Sequence, residues 1–548
     1  MKSLLWPSGQ PAFSRDAAWA DDLDLSVLVR ALDIDGRHAR VVQPLLTALT
    51  GDPPTIRHRQ AVLTDLLAAR PLVAALEEQL PALASLGAAG RDRPGPREAS
   101  LLAAARRLGE LDLYVTTVVA LHKALAAVPL RSSGLRTLCA ELDAIASDAT
   151  FVRLAAELPA LRRPLEQLAS VTVGINLDSE LRPTDATLVA INDFRFSGPQ
   201  GLLGRLLGES STAGLTPLRS IDPHAPDPFA AQLFRDLGRL VSDVVETLSA
   251  GVARYSRINA SPLGHLHGEL AFYLGAVHLV RRLEAAGLPL TIPALLPAEQ
   301  RQTVLEGLYD VSLVLRLLDR DSTAAMVLND VRLDEAGRLA ILTGPNRGGK
   351  TTFTRAVGLA HVMAQSGLPV PAERANLSPA DAIFTHFVTR ESPTVGLGHF
   401  DEEARRLASV FTRGTPASLI LLNEPLSGTS PEEALELARG VVRGLQHLGA
   451  RTILVTHLHA LAREAPTFSA ATPGAPIVSL VASPPDTATA NGEVRRSFQV
   501  VPGPPVGESR ALEIARQHGL SPDQVLERLR ERGLLSDGSG SNYAEGKE

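Results

Sequence analysis

The spacing of apolar residues predicts that the first part of the chain is mainly helical. Between residues 16 and 170, apolar positions recur at intervals of three and four, as in VLTDLLAARPLVAALEEQL (62–80) and LLAAARRLGELDLYVTTVVALHKAL (101–125). That spacing places the apolar side chains on one face of an α-helix. A loop rich in Pro, Gly and Arg, GRDRPGPRE (90–98), separates these segments. We therefore expect a helical core region over residues 1–170.

A short β element interrupts the helical pattern. The stretch SVTVGINL alternates between apolar and polar positions, and LRPTDATLVAI resumes after a turn, which is the period of a half-buried strand. Residues 197–227 are rich in Gly and Pro and predict a loop. We interpret residues 171–227 as a small β and loop insert. Helical spacing returns over residues 228–286, and we expect lever and connector helices across residues 228–325.

An α/β pattern begins near residue 326. Three apolar runs, LAILT (339–343), SLILL (418–422) and TILVT (452–456), are each bounded by turn or polar residues and followed by a helical pattern. This order is typical of parallel strands in a doubly wound sheet. The pattern predicts an α/β domain with C-terminal helices over residues 326–530.

Two segments of the second half lack such a pattern. Residues 471–495 are rich in Pro, Thr and Ala and predict a surface loop, and the end of the chain, DGSGSNYAEGKE, predicts a disordered tail over residues 531–548. The predicted architecture is therefore multidomain, with a mainly α-helical core and lever region followed by an α/β domain.

Composition and charge narrow the classes of protein. The formal net charge of −6 lacks the strongly basic balance of a compact nucleic-acid-binding domain, so any DNA contact would use a local patch. The single cysteine, Cys139, excludes an intramolecular disulfide and a multi-cysteine zinc site. Neither a signal peptide nor a run of about 18 apolar residues occurs. We therefore expect a cytoplasmic protein with no membrane partner.

A glycine-rich motif lies between the first apolar run and a helical segment. The stretch GPNRGGKT (344–351) matches the pattern G-x-x-x-x-G-K-[ST] in the strand-to-helix context that the pattern requires. Backbone N–H groups of such a loop close around phosphates, while Lys350 supplies a positive charge and Thr351 offers a hydroxyl to Mg²⁺. A chance glycine-rich turn is the alternative. The expected nucleotide contacts are Gly344, Pro345, Asn346, Arg347, Gly348, Gly349, Lys350, Thr351 and Thr352.

The second apolar run ends in an amide and an acid, Asn423-Glu424. In ATPases with this loop, the first residue of an acidic pair holds Mg²⁺ through water and the second polarises the attacking water. Glu424 is the expected catalytic acid–base residue, acting with Lys350. Asn423 can accept a hydrogen bond from a metal-bound water but lacks the charge that Mg²⁺ prefers, which predicts weaker Mg²⁺ retention or slower hydrolysis. An ordinary buried strand that ends in a polar turn is the alternative.

The third apolar run is followed by a histidine, His457, within LVTHLHAL. A histidine at this edge of a sheet can touch the terminal phosphate and respond to its presence, so His457 is the third catalytic candidate. A solvated loop histidine is the alternative, and the neighbouring His459 is assigned no role.

These motifs together resemble the MutS family. GPNRGGKTTF (344–353) is similar to the phosphate loop of that family, in which Pro-Asn precedes Gly-Gly-Lys, and the resemblance is dense from about 301 to 530. Upstream it is weaker, with DPPTIRHRQAVLTDLL (52–67) similar to the start of the family's helical core. Further similar segments are AQSGLPVPA (364–372), IFTHF (383–387), Asn423-Glu424 to Ser430, Thr456-His457 and FQVVPGPPVGESRALEIARQHGLS (498–521).

The resemblance implies an ABC-like ATPase domain that binds ATP with Mg²⁺ at the interface of a homodimer, with helical levers that transmit movement to DNA. The segment VLND (327–330) is similar to the family's adenine side, which adds Met326 and Asn329 to the nucleotide contacts. Thr351 and, through water, Asn423 are the implied metal contacts.

The sequence departs from the family pattern at several positions. No Phe-x-Glu mismatch wedge occurs near the start, and the clamp is reduced to residues 171–227. Gly398 stands where the family presents a serine to the partner subunit's nucleotide, Asn423 replaces an aspartate, and Met326 replaces an aromatic that stacks on adenine. Methionine can pack there without stacking.

Three hypotheses follow. The first is an ATPase that acts on duplex or branched DNA in repair or recombination through salt-sensitive backbone contacts. The second, motivated by Asn423 and Gly398, is an ATP-gated DNA- or protein-binding switch with little or no hydrolysis. The third is a transporter or chromosome-organising ATPase, which the absence of an LSGGQ signature and of a long heptad arm disfavours. The candidate basic clusters, for which a solvated face is the alternative, are Arg91, Arg93, Arg97, Arg106, Arg107 and Arg57, Arg59.

Overall fold

The computed structural model divides into two compact units. Unit 1 comprises residues 1–10 and 61–277, and unit 2 comprises residues 11–60 and 278–548. Residues 11–60, which the pattern grouped with the helical core, therefore lie in the second unit. The structure describes residues 1–9, 17–34, 36–89, 101–166, 169–180, 183–194, 242–320, 322, 326–387, 399–472, 474–482, 497–505, 518–532 and 534.

The helices and strands follow one another in a helical, then mixed, order. The helices are α1 (Trp19–Asp22), α2 (Leu25–Leu32), α3 (Ala39–Thr47), α4 (Pro53–Ala68), α5 (Arg70–Ala89), α6 (Leu101–Ala126), α7 (Ser133–Ser147), α8 (Ala149–Glu166), α9 (Ser242–Ala253), α10 (Ser261–Gly264), α11 (Leu266–Ala285), α12 (Val311–Leu318), α13 (Lys350–Gln365), α14 (His399–Arg413), α15 (Pro431–Leu448), α16 (His459–Arg463), α17 (Ala465–Ala471) and α18 (Pro522–Glu531). The strands are β1 (Ser170–Leu177), β2 (Pro183–Asn192), β3 (Ala294–Leu295), β4 (Thr303–Leu308), β5 (Asn329–Leu333), β6 (Leu339–Thr343), β7 (Arg374–Leu377), β8 (Ile383–Phe387), β9 (Leu419–Asn423), β10 (Arg451–Val455), β11 (Ile477–Ala482) and β12 (Val500–Pro502).

Unit 1 is a helical assembly with one antiparallel hairpin, β1–β2. Helix α5 packs against α6 and α10, and α6 packs against α7, α8 and α9. The buried side chains of α5 follow the helical period, with Leu72, Leu76, Leu83 and Leu86 each at most 1% exposed. At the α5–α10 contact the backbones approach so closely that a Cβ on Gly264 would lie 2.4 Å from the Cα atom of Gly87.

Unit 2 contains a six-stranded sheet in the order β12-β11-β6-β10-β9-β8. All neighbouring pairs are parallel except β11–β12. The three apolar runs singled out in the sequence form β6, β10 and β9, which are buried along their whole length. Continuous burial explains why these strands lack alternation, because a parallel sheet is covered on both faces.

Helix α15 illustrates how local sequence positions elements on this sheet. The Ser430 side chain accepts the backbone N–H of Glu433, and Pro431 occupies the first turn, which are both strong helix-start signals. Gly449 ends the helix in a left-handed conformation with φ of 67°. The apolar side chains of α15 that face the core of the sheet are Ala434, Ala438, Val442 and Leu445.

Two segments differ from what their sequence suggested. Residues 471–495 were expected to form a surface loop, but Ile477–Ala482 form β11, which pairs with β6 inside the sheet. The run IVSLVA is short, and its Pro-, Thr- and Ala-rich flanks concealed it. Residues 228–325 contain β3 and β4 besides helices; these strands join β7 and β5 in a four-stranded sheet of order β3-β7-β4-β5.

No helix in the described part of the chain is long and apolar enough to cross a membrane.

Candidate functional site

The glycine-rich loop connects β6 to α13, and its backbone requires glycine at both ends. Gly344 has φ of 138°, and a Cβ there would lie 2.8 Å from the Ala482 Cβ atom. Gly349 has φ of 89° and is the N-cap of α13. Glycine adopts these angles without steric cost. The loop therefore directs the N-terminus of a 16-residue helix, with its unpaired N–H groups and positive dipole end, toward the space in front of the sheet.

Lys350 is the first residue of α13, and its side chain folds back over the loop. The Nζ atom donates hydrogen bonds to the carbonyl oxygens of Gly344 and Pro345, at 2.9 and 3.0 Å. Burial lowers the pKa of the Lys350 ammonium, and the charge of Glu424 opposes this effect. The cation is thus held at the loop by neutral acceptors that an anion can replace.

Thr351 at the start of α13 and Asn423 at the end of β9 lie in contact. The Thr351 hydroxyl donates to the Asn423 amide oxygen at 3.3 Å, and Asn423 is buried at the end of β9. A hydroxyl and an amide oxygen are hard oxygen ligands of the kind that Mg²⁺ accepts directly or through water. The pair predicted as metal contacts is therefore adjacent, and its donor set is neutral.

Glu424 and His457 follow the neighbouring strands β9 and β10 and form a close pair. The Glu424 Oε1 and His457 Nε2 atoms lie 2.7 Å apart. The hydrogen bond from His457, together with the charges of His457 and Lys350, outweighs burial and lowers the pKa of the Glu424 carboxyl group. Glu424 is consequently a carboxylate at neutral pH, with its charge held beside the glycine-rich loop.

The backbone around Glu424 is in an unusual conformation. Glu424 and Leu426 have φ of 56° and 67°, in the left-handed region that costs a non-glycine residue about 1–3 kcal/mol. The Glu424 N–H donates to the carbonyl of Val455 at 2.9 Å. Such strain persists where surrounding contacts enforce it, and it is frequent at functional sites.

A cavity of about 440 Å³ opens beside this loop. It is lined by the loop and the start of α13, by residues of α12 and those just before it, and by the segments around Met326 and Phe498. Its volume is in the range of small-molecule sites. The predicted site residues that line it are Met326, Asn329, Asn346, Arg347, Gly348, Gly349, Lys350, Thr351, Thr352 and Glu424.

The remaining predicted residues lie just behind the cavity wall. Gly344 and Pro345 hold the Lys350 side chain, Asn423 holds Thr351, and His457 holds Glu424. All candidates predicted for the nucleotide, the metal and catalysis therefore gather at one place in unit 2.

Asn329 has a structural contact that the sequence did not indicate. Its amide oxygen accepts the N–H of Val500 at 2.7 Å, and its amide nitrogen donates to the carbonyl of Phe498 at 3.3 Å. These bonds hold Phe498 and the start of β12 beside the cavity. Asn329 thus acts on the site mainly by placing Phe498.

Sequence reasoning missed several residues that line the cavity. Phe498 is 42% exposed and contributes an aromatic ring to the cavity that Met326 also lines; the family resemblance had implied an aromatic at Met326. Tyr309 and Asp310 line the cavity from the start of α12. The sequence signal for Phe498 was its place at the start of FQVVPGPPVGESRALEIARQHGLS (498–521), which resembles the family's final strand and helix but did not indicate a contact with the cavity.

The arginines of the candidate basic clusters for DNA contact differ in their exposure to solvent. Arg59 is 1% exposed and donates to the carbonyl of Gln365, so its placement in a DNA-contacting cluster was wrong. Arg107 donates to the carbonyls of Tyr255 and Ile258 and pairs with Glu110. Arg57 and Arg106 are exposed. Gly398, Arg91, Arg93, Arg97, residues 195–241 and residues 535–548 lie outside the described residues.

The fold and site define an α/β protein with a glycine-rich loop at a helix N-terminus and an acid–histidine pair on adjacent strands. Comparison with protein-family models agrees with this class. MutS domain V matches residues 340–533, and the MutS2 N-terminal domain matches residues 51–286. The chain belongs to the MutS family.

Three curated relatives illustrate the extent of the similarity. "Endonuclease MutS2" of Thermomicrobium roseum is 36% identical over 41% of this chain and 26% of that protein. "DNA mismatch repair protein MutS 2" of Haloarcula marismortui is 37% identical over 36% of this chain and 20% of that protein. "Endonuclease MutS2" of Thermus thermophilus is 35% identical over 39% of this chain and 26% of that protein. The chain thus spans about a quarter or less of the length of these relatives.

Proposed function

We propose that the chain binds ATP with Mg²⁺ in the cavity of unit 2 and hydrolyses it. The observation that carries this proposal is the placement of the Glu424 carboxylate, paired with His457 at 2.7 Å, beside the Lys350 ammonium at the N-terminus of α13. A helix N-terminus with a lysine attracts phosphate. A carboxylate at the same place serves as an acceptor for a water proton.

Phosphate binding would exchange the partners of Lys350. Its Nζ atom now donates to two backbone carbonyls, and an anionic phosphate oxygen would offer the ammonium an acceptor that carries the opposite charge. The free N–H groups of the first turn of α13 supply the remaining donors. Phe498 and Met326 also line the cavity, and they suit the flat face of a nucleobase.

In hydrolysis, Glu424 would orient and deprotonate the attacking water. Its lowered pKa keeps the carboxylate unprotonated, and its left-handed backbone directs the side chain to the loop. The Nε2 atom of His457 lies 2.7 Å from Glu424 Oε1. A terminal phosphate within reach of His457 would compete with Glu424 for this contact, and that competition would make His457 responsive to the phosphate.

The two proposed Mg²⁺ contacts, Thr351 and Asn423, are both uncharged. Thr351 and Asn423 would hold Mg²⁺ directly or through water, and the ion would supply positive charge to neutralise the phosphate oxygens. Asn423 contributes an oxygen acceptor without a charge. We infer that Mg²⁺ is retained less tightly than with an aspartate, and that hydrolysis is slow.

The test is ATP turnover by the purified protein beside Lys350→Ala and Glu424→Ala, with nucleotide binding measured on the same samples. We expect turnover in the wild type and none in either variant, with ATP binding weakened in Lys350→Ala and retained in Glu424→Ala. Turnover in the wild type that equals the Lys350→Ala background would contradict hydrolysis.

We further propose that the chain acts on DNA in repair or recombination, as a homodimer whose nucleotide sites drive a change of conformation. Membership in the MutS family and the names of the relatives, which include mismatch-repair proteins, support this. Addition of duplex or branched DNA should raise turnover, and light scattering should give the mass of two chains. Two relatives are named endonucleases. Because the match covers about a quarter of those proteins, we do not propose nuclease activity for this chain.

A second candidate is an ATP-gated switch with little or no hydrolysis. The neutral Thr351–Asn423 pair favours it, because a site with reduced Mg²⁺ affinity can bind nucleotide and still turn over slowly. Tight ATP binding without turnover on any DNA would select this alternative over the first.

A further inference from the structure

A buried pair of side chains, Glu403 and His386, lies next to the loop that carries Glu424. The Glu403 side chain on α14 and the His386 side chain on β8 are 1% and 7% exposed, and Glu403 Oε1 lies 3.0 Å from His386 Nε2. The same Oε1 atom accepts the backbone N–H of Leu426 at 2.5 Å. One carboxylate oxygen therefore joins a helix, a strand and the loop after β9.

The surroundings of Glu403 keep it charged. Burial favours the neutral acid, but the bond from His386 and the backbone N–H groups of Leu426 and Gly428 outweigh burial, and the pKa of the Glu403 carboxyl group is lowered. A buried carboxylate is a costly way to fill space, since an apolar side chain of similar size packs at least as well. What a carboxylate adds at this position is an acceptor for the loop.

The contact falls at the point where the loop backbone is most constrained. Glu424 and Leu426 both have positive φ. The Glu424 N–H is fixed by the carbonyl of Val455 on β10, and the Leu426 N–H is fixed by Glu403. The turn that presents the Glu424 side chain is therefore anchored on both sides, and only the second anchor is a side chain.

We propose that Glu403 is a positioning residue for ATP hydrolysis, which holds the turn that presents Glu424 by accepting the Leu426 N–H. The inference rests on the proposed function of Glu424. Glu403 does not line the cavity, so it acts on the orientation of the catalytic carboxylate and leaves nucleotide binding unchanged. It also links this orientation to α14, the helix that begins at His399.

The test compares an apolar and a conservative substitution. Glu403→Leu removes the acceptor, and misplacement of Glu424 should lower kcat about 10- to 100-fold with KM and the ATP Kd nearly unchanged. Glu403→Gln keeps an amide oxygen where Oε1 stands and should restore most of the rate. The matched control is Glu402→Leu on the same helix, where the side chain is 48% exposed and kcat should not change.

Other outcomes would overturn the proposal. If Glu403 served packing alone, Leu would be tolerated and would behave like Gln. A loss of ATP binding in step with kcat would also contradict it. If thermal unfolding shows that Glu403→Leu does not fold, Glu403→Asp is used in its place. The shorter side chain of Glu403→Asp should lower kcat. A wild-type kcat in Glu403→Asp would contradict the proposal. Wild-type turnover, measured in the same assay, separates failure of this inference from failure of hydrolysis itself.

Discussion

The Thr351 hydroxyl donates a hydrogen bond to the Asn423 amide oxygen at 3.3 Å, which joins the start of α13 to the end of β9. This contact places the two proposed metal contacts in one position and pairs them with each other. Neither residue carries a charge, and the carboxylate of Glu424 follows Asn423 directly in the chain. The consequences of this arrangement can be measured.

Asn423→Asp should strengthen the metal site. A carboxylate in place of the amide adds a charge-assisted contact, and replacing a neutral partner by a charged one strengthens a hydrogen bond by about 1 kcal/mol or more. The Mg²⁺ concentration for half-maximal turnover should fall about 5- to 10-fold on that scale. Turnover against free Mg²⁺ checks this, with Asn423→Ala as the control that should require more Mg²⁺ than the wild type. If turnover depends on free Mg²⁺ in the same way in Asn423→Asp and in the wild type, Asn423 is not a metal contact.

Lys350→Ala should weaken ATP binding. Removal of one charge-assisted contact to phosphate costs about 1.5–3 kcal/mol, which corresponds to a Kd about 10- to 100-fold higher. Calorimetry with ATP and Mg²⁺ measures it. Lys123→Ala, an exposed lysine of α6 in unit 1, is the control and should bind ATP as the wild type does. Equal Kd values for the two variants would contradict the proposal that the loop binds the phosphates of ATP.

Phe498→Ala should reduce nucleotide affinity without changing the phosphate contacts. Loss of one aromatic contact to a nucleobase is worth about 1 kcal/mol, or about a 3- to 10-fold rise in Kd. The control is Phe411→Ala, because Phe411 is 43% exposed, like Phe498 at 42%, but does not line the cavity. ATP should lose affinity in the first variant alone, while inorganic triphosphate should bind to both variants equally.

The pH dependence of turnover follows from the lowered pKa of Glu424. A depressed pKa means that the carboxylate form persists below the ordinary value of about 4.3, and that it is lost only as pH falls through the lowered pKa. Glu424 should therefore contribute no acid limb between about pH 5 and 8. An acid limb in that range that is absent from the residual rate of Glu424→Gln would contradict this prediction.

Gly264→Ala should destabilise unit 1. The added Cβ would lie 2.4 Å from the Cα and N atoms of Gly87, and overpacking of this kind costs about 1–3 kcal/mol. The matched control is Gly109→Ala in α6, where nothing lies within 4 Å of the new Cβ, and where the change should stabilise the helix by up to about 1 kcal/mol. Thermal unfolding of the two variants should move in opposite directions.

The features that the sequence predicted well are those with a local physical cause. The strands β6, β9 and β10 are short apolar runs because both faces of a parallel sheet are buried. The glycine-rich loop was recognisable because its glycines at 344 and 349 adopt angles that other residues avoid. Glu424 and His457 were predictable as strand-end residues, since the ends of parallel strands meet at one edge.

Features that depend on long-range contacts left no such pattern. Arg59 is buried because it reaches the carbonyl of Gln365, 306 residues later, and nothing in a helical arginine's own neighbours indicates this. Glu403 and His386 become a pair only when β8 and α14 pack together. Phe498 lines the cavity because Asn329 forms hydrogen bonds with the backbone of Phe498 and of Val500. Each required a tertiary contact that periodicity does not encode.

The strand order of the six-stranded sheet has a consequence for synthesis of the chain. Strand β6 at residues 339–343 pairs with β10 at 451–455 and with β11 at 477–482. Both edges of β6 therefore remain unpaired while more than a hundred later residues leave the ribosome, and such exposed apolar edges favour aggregation of nascent chains. Because contacts between distant segments also slow folding, we expect unit 2 to need protection by chaperones until β11 has been made.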